Sequence, residues 1–155
     1  MFSRQAKFAV LFDLDGTLVD SKPYWMQSEV ELAQAHNGQW TEEDGLEVVG
    51  MSLGESSELM KAKIGINLDP QEIVDRLTNS VQNKLAEAVP WRPGAKELLL
   101  DLRRNKVKTA LVTMSLRRMA QQVVDTIDFD AFDVIVAGDD VKNGKPHPEA
   151  FLTAA

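Results

Sequence analysis

Cysteine is absent from the 155 residues, which excludes a disulfide, a thiolate metal site and a cysteine nucleophile. Basic residues are outnumbered, 17 Lys and Arg against 24 Asp and Glu, for a net charge of −7. That balance argues against a nucleic-acid backbone or an anionic membrane as partner. It leaves open a small anionic ligand, which responds to local rather than net charge. No apolar run approaches the roughly 18–20 residues of a membrane span. Residues 1–7 are too short and too polar for a secretory signal. These absences set the expectation of a cytoplasmic protein. Internal repeats and low-complexity tracts are also lacking. A hydrophobic content of 44 % with 26 % charged residues is ordinary for a globular fold.

What the chain does carry is concentrated near its start. Phe8-Ala9-Val10-Leu11-Phe12 is a short apolar run, expected to be a strand buried on both faces. It leads directly into Asp13-Leu14-Asp15-Gly16-Thr17-Leu18-Val19-Asp20-Ser21. In extended backbone, positions i and i+2 point the same way, so Asp13 and Asp15 project together beyond the strand. Open α/β sheets place ligands at that end of their strands. Two adjacent carboxylates repel unless a cation or a shared proton relieves them. A calcium loop counted from Asp13 fails, because its fifth, sixth and twelfth positions hold Thr17, Leu18 and Tyr24. A plain turn with solvated aspartates competes with a catalytic carboxylate pair.

Residues 7–13 form the first expected strand. Residues 22–89 read as helical and more polar. Thr41-Glu42-Glu43-Asp44 resembles a capping box, and Asp69-Pro70 reads as an N-cap with proline at the first helical position. Val74, Leu77, Val81 and Leu85 follow at helical spacing, as one packed face. Met26, Val30 and Ala33 suggest another helix, and Leu53 to Ile64 a further one. After Pro90-Trp91-Arg92-Pro93-Gly94, a helix is expected from Ala95 to Asn105, a strand from Val107 to Val112, and a helix from Leu116 to Ile127. A third strand, Val134 to Ala137, ends at Gly138-Asp139-Asp140. This alternation indicates a parallel sheet with crossover helices.

Two later segments carry chemistry. Thr113-Met114-Ser115 follows the second strand and precedes a helix, where a hydroxyl and open N–H groups can take a phosphate. A simple N-cap by Ser115 is the plainer role. In Asn143-Gly144-Lys145-Pro146-His147-Pro148-Glu149, Lys145 sits between glycine and proline ahead of a helix start at Pro148. The segment is not a P-loop, lacking the upstream glycine and the hydroxyl residue after lysine. His147, between two prolines, reads as a loop side chain, and His36 as an exposed one.

The run from Asp13 to Ser21, with Thr113 and the Gly144-Lys145-Pro146 loop, resembles three signatures of the haloacid dehalogenase superfamily. Within it, the likeness is to the β-phosphoglucomutase-like and sugar-phosphate phosphatase subgroup. The resemblance implies an α/β fold with a Rossmann-like parallel-sheet core at 1–21 and 90–155, incomplete at its C-terminal end, and a helical cap at 22–89. It implies a Mg2+-dependent phosphatase acting on a small phosphorylated metabolite through an aspartyl-phosphate. Asp13 is then the nucleophile, Asp15 the acid and base, Thr113 a phosphoryl ligand and Lys145 a neutralising cation. Phosphate contacts are implied at Asp13, Gly16, Thr17, Thr113, Met114, Ser115 and Lys145, and magnesium ligation at Asp13 and Asp15. Asp139 and Asp140 match an acidic pair that supports the metal or orients Lys145. The resemblance assigns the cap to closing over the substrate. Gly50 to Glu55 then contacts the substrate, or is a glycine-bounded turn before a helix.

Relatives carry a fourth acidic signature roughly 20–30 residues beyond the lysine, a family expectation set against ordinary connection lengths. Its absence here leads to the expectation of a missing C-terminal segment and of an exposed apolar edge at Phe8 to Phe12. The alternatives are a phosphohexomutase of the same superfamily and a truncated, non-catalytic phosphate-binding protein. Trp25 stands where such mutases carry a histidine, which favours hydrolysis. A receiver domain is disfavoured by the insertion after the first strand.

Overall fold

A computed structural model describes residues 8–155; Lys7, the first residue of the expected 7–13 strand, lies outside them. The chain divides into two compact units. One takes in the segment up to Asp20 together with Val89–Ala155, and the other is Ser21–Ala88.

The first unit is an α/β sheet. Its strands are β1 (Ala9–Phe12), β2 (Lys108–Val112) and β3 (Val134–Val136), in spatial order β1-β2-β3 and all parallel. Phe12 pairs with Leu111, and Val112 with Val136, so all three strands end on one edge of the sheet. β2 is central and almost wholly buried. Its alternating side chains separate two faces. Ala110 and Val112 pack with Val136 and Ala150 on one side. On the other, Arg103 Nη1 lies 3.4 Å from Thr109 Oγ1. Arg103 lies in the last turn of α5 (Ala95–Arg104) and Ala150 belongs to α7 (Glu149–Ala154), so a helix approaches each face. Asp133 accepts from Arg103, Lys108 and the Thr109 N–H, fixing the start of β2.

β1 departs from the expected fully buried strand. Among the described residues it has one hydrogen-bonded neighbour, β2, and its burial rises only toward Phe12. A strand at the border of a sheet keeps one row of backbone groups and part of its side chains outside the core. Where the chain leaves and re-enters this unit, Asp20 N–H donates to Pro90 O at 2.8 Å and Arg92 N–H to Leu18 O at 2.9 Å. The two crossing points are thereby tied together. Between β2 and β3 runs α6 (Arg117–Val124), shorter than expected and starting after Leu116.

The second unit is helical: α1 (Lys22–Ala35), α2 (Glu42–Glu47), α3 (Leu53–Ile64) and α4 (Pro70–Glu87). Thr41 and Ser52 each form a complete capping box, with Asp44 and Glu55. Asp69 occupies the N-cap position but makes no side-chain cap bond, unlike the expectation. α4 buries Ile73, Val74, Leu77, Thr78, Val81 and Leu85, the helical face read from its spacing. Leu32, Ala33, Trp40, Met60, Ile66, Ile73 and Leu77 form this unit's own core. No helix among the described residues is long and apolar enough to cross a membrane.

Candidate active site

Parallel pairing sets the geometry of the site. Asp13 follows the last residue of β1, Thr113 follows the last residue of β2, and Gly138 lies two residues past β3. Three loops therefore emerge side by side at the carboxyl edge of the sheet. The first loop turns sharply. Leu14 O accepts from the N–H groups of Thr17, Leu18 and Val19, and Gly16 N–H donates to Val19 O at 2.8 Å. Gly16 has φ +79°, a left-handed conformation that suits a residue without a Cβ.

The functional groups converge on the two aspartates. Lys145 Nζ donates to Asp13 Oδ1 at 2.9 Å and to Val112 O at 2.7 Å. The same ammonium lies 5.2 Å from the centre of the Phe151 ring. Thr17 Oγ1 donates to Asp13 Oδ2 at 3.3 Å. Asp15 is held from the second loop: Ser115 Oγ donates to its Oδ2 at 2.6 Å, and Thr113 Oγ1 lies 3.4 Å from the same atom. Ser115 N–H donates to Thr113 Oγ1 at 3.2 Å. Thr113 and Ser115 are buried, whereas the Asp13 side chain is 42 % exposed. Asp13 is thus a partly exposed carboxylate paired with an ammonium, and Asp15 one oriented by two hydroxyl donors.

Lys145 reaches Asp13 through a loop packed on the second one. Its N–H donates to the Met114 sulfur at 3.1 Å. Gly138 N–H donates to Ser115 O at 3.0 Å, and a Cβ at Gly138 would lie 2.2 Å from Met114 O. Only a residue without a side chain permits that approach. Glu149 accepts from the Lys142 and Asn143 N–H groups and from the Asn143 side chain, which holds its carboxyl below the usual range. The Lys145-Pro146 bond is cis.

Asp139 and Asp140 do not reach Lys145. Both are taken up by Arg117, the first residue of α6. Arg117 Nε donates to Asp140 Oδ1 at 3.0 Å and its Nη2 to Asp140 Oδ2, while Nη2 also reaches Ile135 O at 2.7 Å. Asp139 Oδ1 accepts from Arg117 N–H at 2.8 Å. That bond satisfies a helix-start donor, since Leu116 at the N-cap offers no side-chain acceptor. The guanidinium holds Asp140 below its ordinary carboxyl pKa, assisted by the Ala137 N–H.

The acidic groups suit magnesium in kind. Mg2+ prefers oxygen donors and is commonly held by one or two carboxylates together with substrate phosphates. Asp13, half exposed and placed next to Asp15, offers such donors. Among the described residues, no three acidic or histidine side chains cluster as a self-sufficient metal cage.

The structure thus brings Asp13, Asp15, Thr17, Thr113, Ser115 and Lys145 together. Gly16 N–H is committed to the turn, and Met114 meets Lys145 through its sulfur. Ser115 is not the N-cap of α6, because its hydroxyl goes to Asp15. His147 Nδ1 accepts from Glu149 N–H, the loop role expected of it. His36 is half-buried rather than exposed. In the helical unit, the Gly50–Glu55 segment supplies the Ser52 capping box of α3, and Trp25 packs against the helical core. Sequence reading missed Arg117, since its acceptor Asp140 lies 23 positions away and no local pattern links them.

The haloacid dehalogenase-like hydrolase family matches residues 10–155. The chain is 30 % identical over 145 residues to a phosphorylated carbohydrates phosphatase of Thermotoga maritima, covering 93 % of this chain and 67 % of that protein. It is 26 % identical over 150 residues to hexitol phosphatase B of Escherichia coli K12, covering 95 % and 68 %. A crystal structure of β-phosphoglucomutase from Clostridium difficile superposes with a TM-score of 0.79 at 27 % identity, over 95 % of this chain and 69 % of that one. The chain spans about two thirds of the length of these relatives. With two aspartates after β1, a hydroxyl after β2 and a lysine after β3 meeting at one sheet edge, the chain belongs to the haloacid dehalogenase-like hydrolase family.

Proposed function

We propose that this protein hydrolyses the phosphate monoester of a small phosphorylated metabolite, a sugar phosphate or similar, through an aspartyl-phosphate on Asp13. The observation that carries the reading is the 2.9 Å contact between Lys145 Nζ and Asp13 Oδ1, made by residues 132 positions apart. A cation held against an exposed carboxylate offsets the charge that builds up when a phosphate dianion approaches an anionic nucleophile.

Asp13 attacks phosphorus in line, and the P–O bond to the alcohol breaks. Asp15 gives its proton to the departing alkoxide. It then takes a proton from the water that attacks the phosphoryl group on Asp13, so inorganic phosphate leaves and both carboxyls return to their starting states. Ser115 and Thr113 fix the direction of Asp15, and the Thr113 hydroxyl would donate to a phosphoryl oxygen on turning from Asp15. The Asp13 carboxylate and the Asp15 main-chain carbonyl would hold Mg2+ with one further carboxylate. When bound, its charge stabilises the phosphoryl oxygens. The carbohydrate-phosphate names of the first relatives support a sugar phosphate as substrate. Trp25, at the place of a mutase histidine, supports hydrolysis over transfer.

The test is phosphate release from a panel of sugar phosphates and p-nitrophenyl phosphate with Mg2+. Wild type should release phosphate, and Asp13→Asn should lose at least about a thousandfold in kcat with its circular dichroism unchanged. Undiminished turnover by Asp13→Asn overturns the nucleophile. A requirement for a sugar bisphosphate, with no net phosphate release, points to the mutase instead.

A further inference from the structure

We infer that Arg117 is a positioning residue: its fork on Asp140 sets where Lys145 meets Asp13. The inference rests on the proposed phosphatase reading for its kinetic consequence, though not for its structural one.

Lys145 stands on a loop that leaves the sheet after β3, while Thr113 and Ser115 stand on the loop after β2. For the site to assemble, the two loops must keep a fixed spacing. Arg117 spans them with a charged, two-pronged side chain. It begins the helix that follows the β2 loop, and it donates to both oxygens of Asp140 on the β3 loop and to the carbonyl of Ile135 within β3. Its own N–H is taken by Asp139. Asp140 in turn accepts from Ala137 N–H at 2.8 Å, so the grip extends to the residue that follows β3. Below this clamp the loops touch closely, Gly138 against Met114 and the Lys145 N–H on the Met114 sulfur. Single hydrogen bonds, such as Gly138 N–H to Ser115 O at 3.0 Å, accompany those contacts, whereas a planar fork on a carboxylate fixes both distance and angle.

Exposure separates positioning from stability. The Arg117 and Asp140 side chains are 44 % and 28 % exposed. An ion pair so exposed contributes little to folding. A misplacement of about 1 Å in a catalytic group, by contrast, can cost on the order of 100-fold in rate. The clamp therefore matters to turnover far more than to the folded state.

The test combines kinetics with structure. Wild type, Arg117→Ala, Arg117→Lys and Asp140→Asn are assayed with p-nitrophenyl phosphate and Mg2+. Crystal structures of wild type and of the two arginine variants are compared. Arg117→Ala should lower kcat by about tenfold or more while KM stays within about twofold and the melting temperature moves little. Arg117→Lys, which keeps the charge and one donor, should recover part of that loss. Lys145 Nζ should leave its contact with Asp13 in the alanine variant, or in the lysine variant should alanine fail to fold. An unchanged kcat, or a Lys145 that keeps its contact once the fork is gone, overturns the inference. If the ammonium moves but wild type releases no p-nitrophenol, the positioning role stands and the phosphatase reading falls.

Discussion

Asp13 and Asp15 are two residues apart yet occupy different chemical positions. One faces an ammonium and open solvent, and the other is held by the hydroxyls of Ser115 and Thr113. That asymmetry is what separates a nucleophile from an acid and base on the same loop. It leads to a specific expectation for Asp15→Asn. Asparagine keeps the shape of the side chain and can still meet Ser115, but it cannot take a proton from water. With p-nitrophenyl phosphate, whose leaving group needs little protonation, the first step should proceed while hydrolysis stalls by at least about 100-fold. Intact-mass spectrometry after mixing should then show protein carrying one added phosphoryl group, and peptide mapping should place it on Asp13. Normal steady-state turnover with no adduct would remove Asp15 from the acid and base role. The pair itself was legible in the sequence, because the i, i+2 spacing after an apolar run has few structural explanations. For Ser115 the sequence left a helix cap and a phosphate contact side by side, and neither reading anticipated its bond to Asp15, because a partner on another loop leaves no local mark. Arg117 could not be read at all, since its role exists only once β2 and β3 lie side by side.

At the scale of elements, both helices and strands were legible in place, and strand burial was less so. The α3 boundaries and the α4 face follow from local signals: capping boxes, the glycine after Ile64 and apolar residues at helical spacing. Strand burial depends on neighbours: the apolar run alone suggests burial on both faces, whereas the one-sided pairing of β1 among the described residues matches the exposed edge expected at Phe8 to Phe12. The helical unit also hides an electrostatic feature that no local pattern marks. Glu29 on α1 is pushed up to about 7 by burial, against the opposing pull of the Trp40 indole, which donates to it at 2.8 Å. Because the folded value lies above the unfolded one, the folded state holds the proton more tightly. The stability from Glu29 is then fully present below about pH 4.5 and is lost as pH rises through about 7. The full loss is on the order of 3 kcal/mol. Asp44 and Asp133 are held near 2 by hydrogen bonds and lose their contribution only at more acidic pH, outside this window. Glu29→Gln keeps the acceptor for Trp40 and removes the titration. Thermal melts should therefore show the variant gaining on wild type between pH 5 and pH 8. An equal gap at both pH values would mean that Glu29 is ionised throughout in the folded protein.

The whole molecule combines two units that each bury a core of their own. The sheet unit centres on β2 with Ala110, Val112, Val136 and Ala150, and the helical unit on Met60, Trp40, Ile73 and their neighbours. Each core can in principle melt by itself, so whether the protein unfolds in one cooperative transition or two is a question for experiment. The tryptophans offer a way to watch the units separately, because Trp25 and Trp40 lie in the helical unit and Trp91 in the sheet unit. In a Trp91→Phe background, fluorescence reports the helical unit alone, while amide exchange along β2 reports the sheet. Met60 is 1 % exposed, and truncating it to alanine should cost about 2–5 kcal/mol through lost burial and the cavity left behind. If the units unfold independently, Met60→Ala lowers the urea midpoint seen by Trp25 and Trp40 and leaves β2 protection where it was. Equal shifts in both signals would mean that the helical insertion and the sheet that carries Asp13 and Lys145 unfold as one cooperative body. A stability change anywhere in the helical unit would then be felt directly at the catalytic edge.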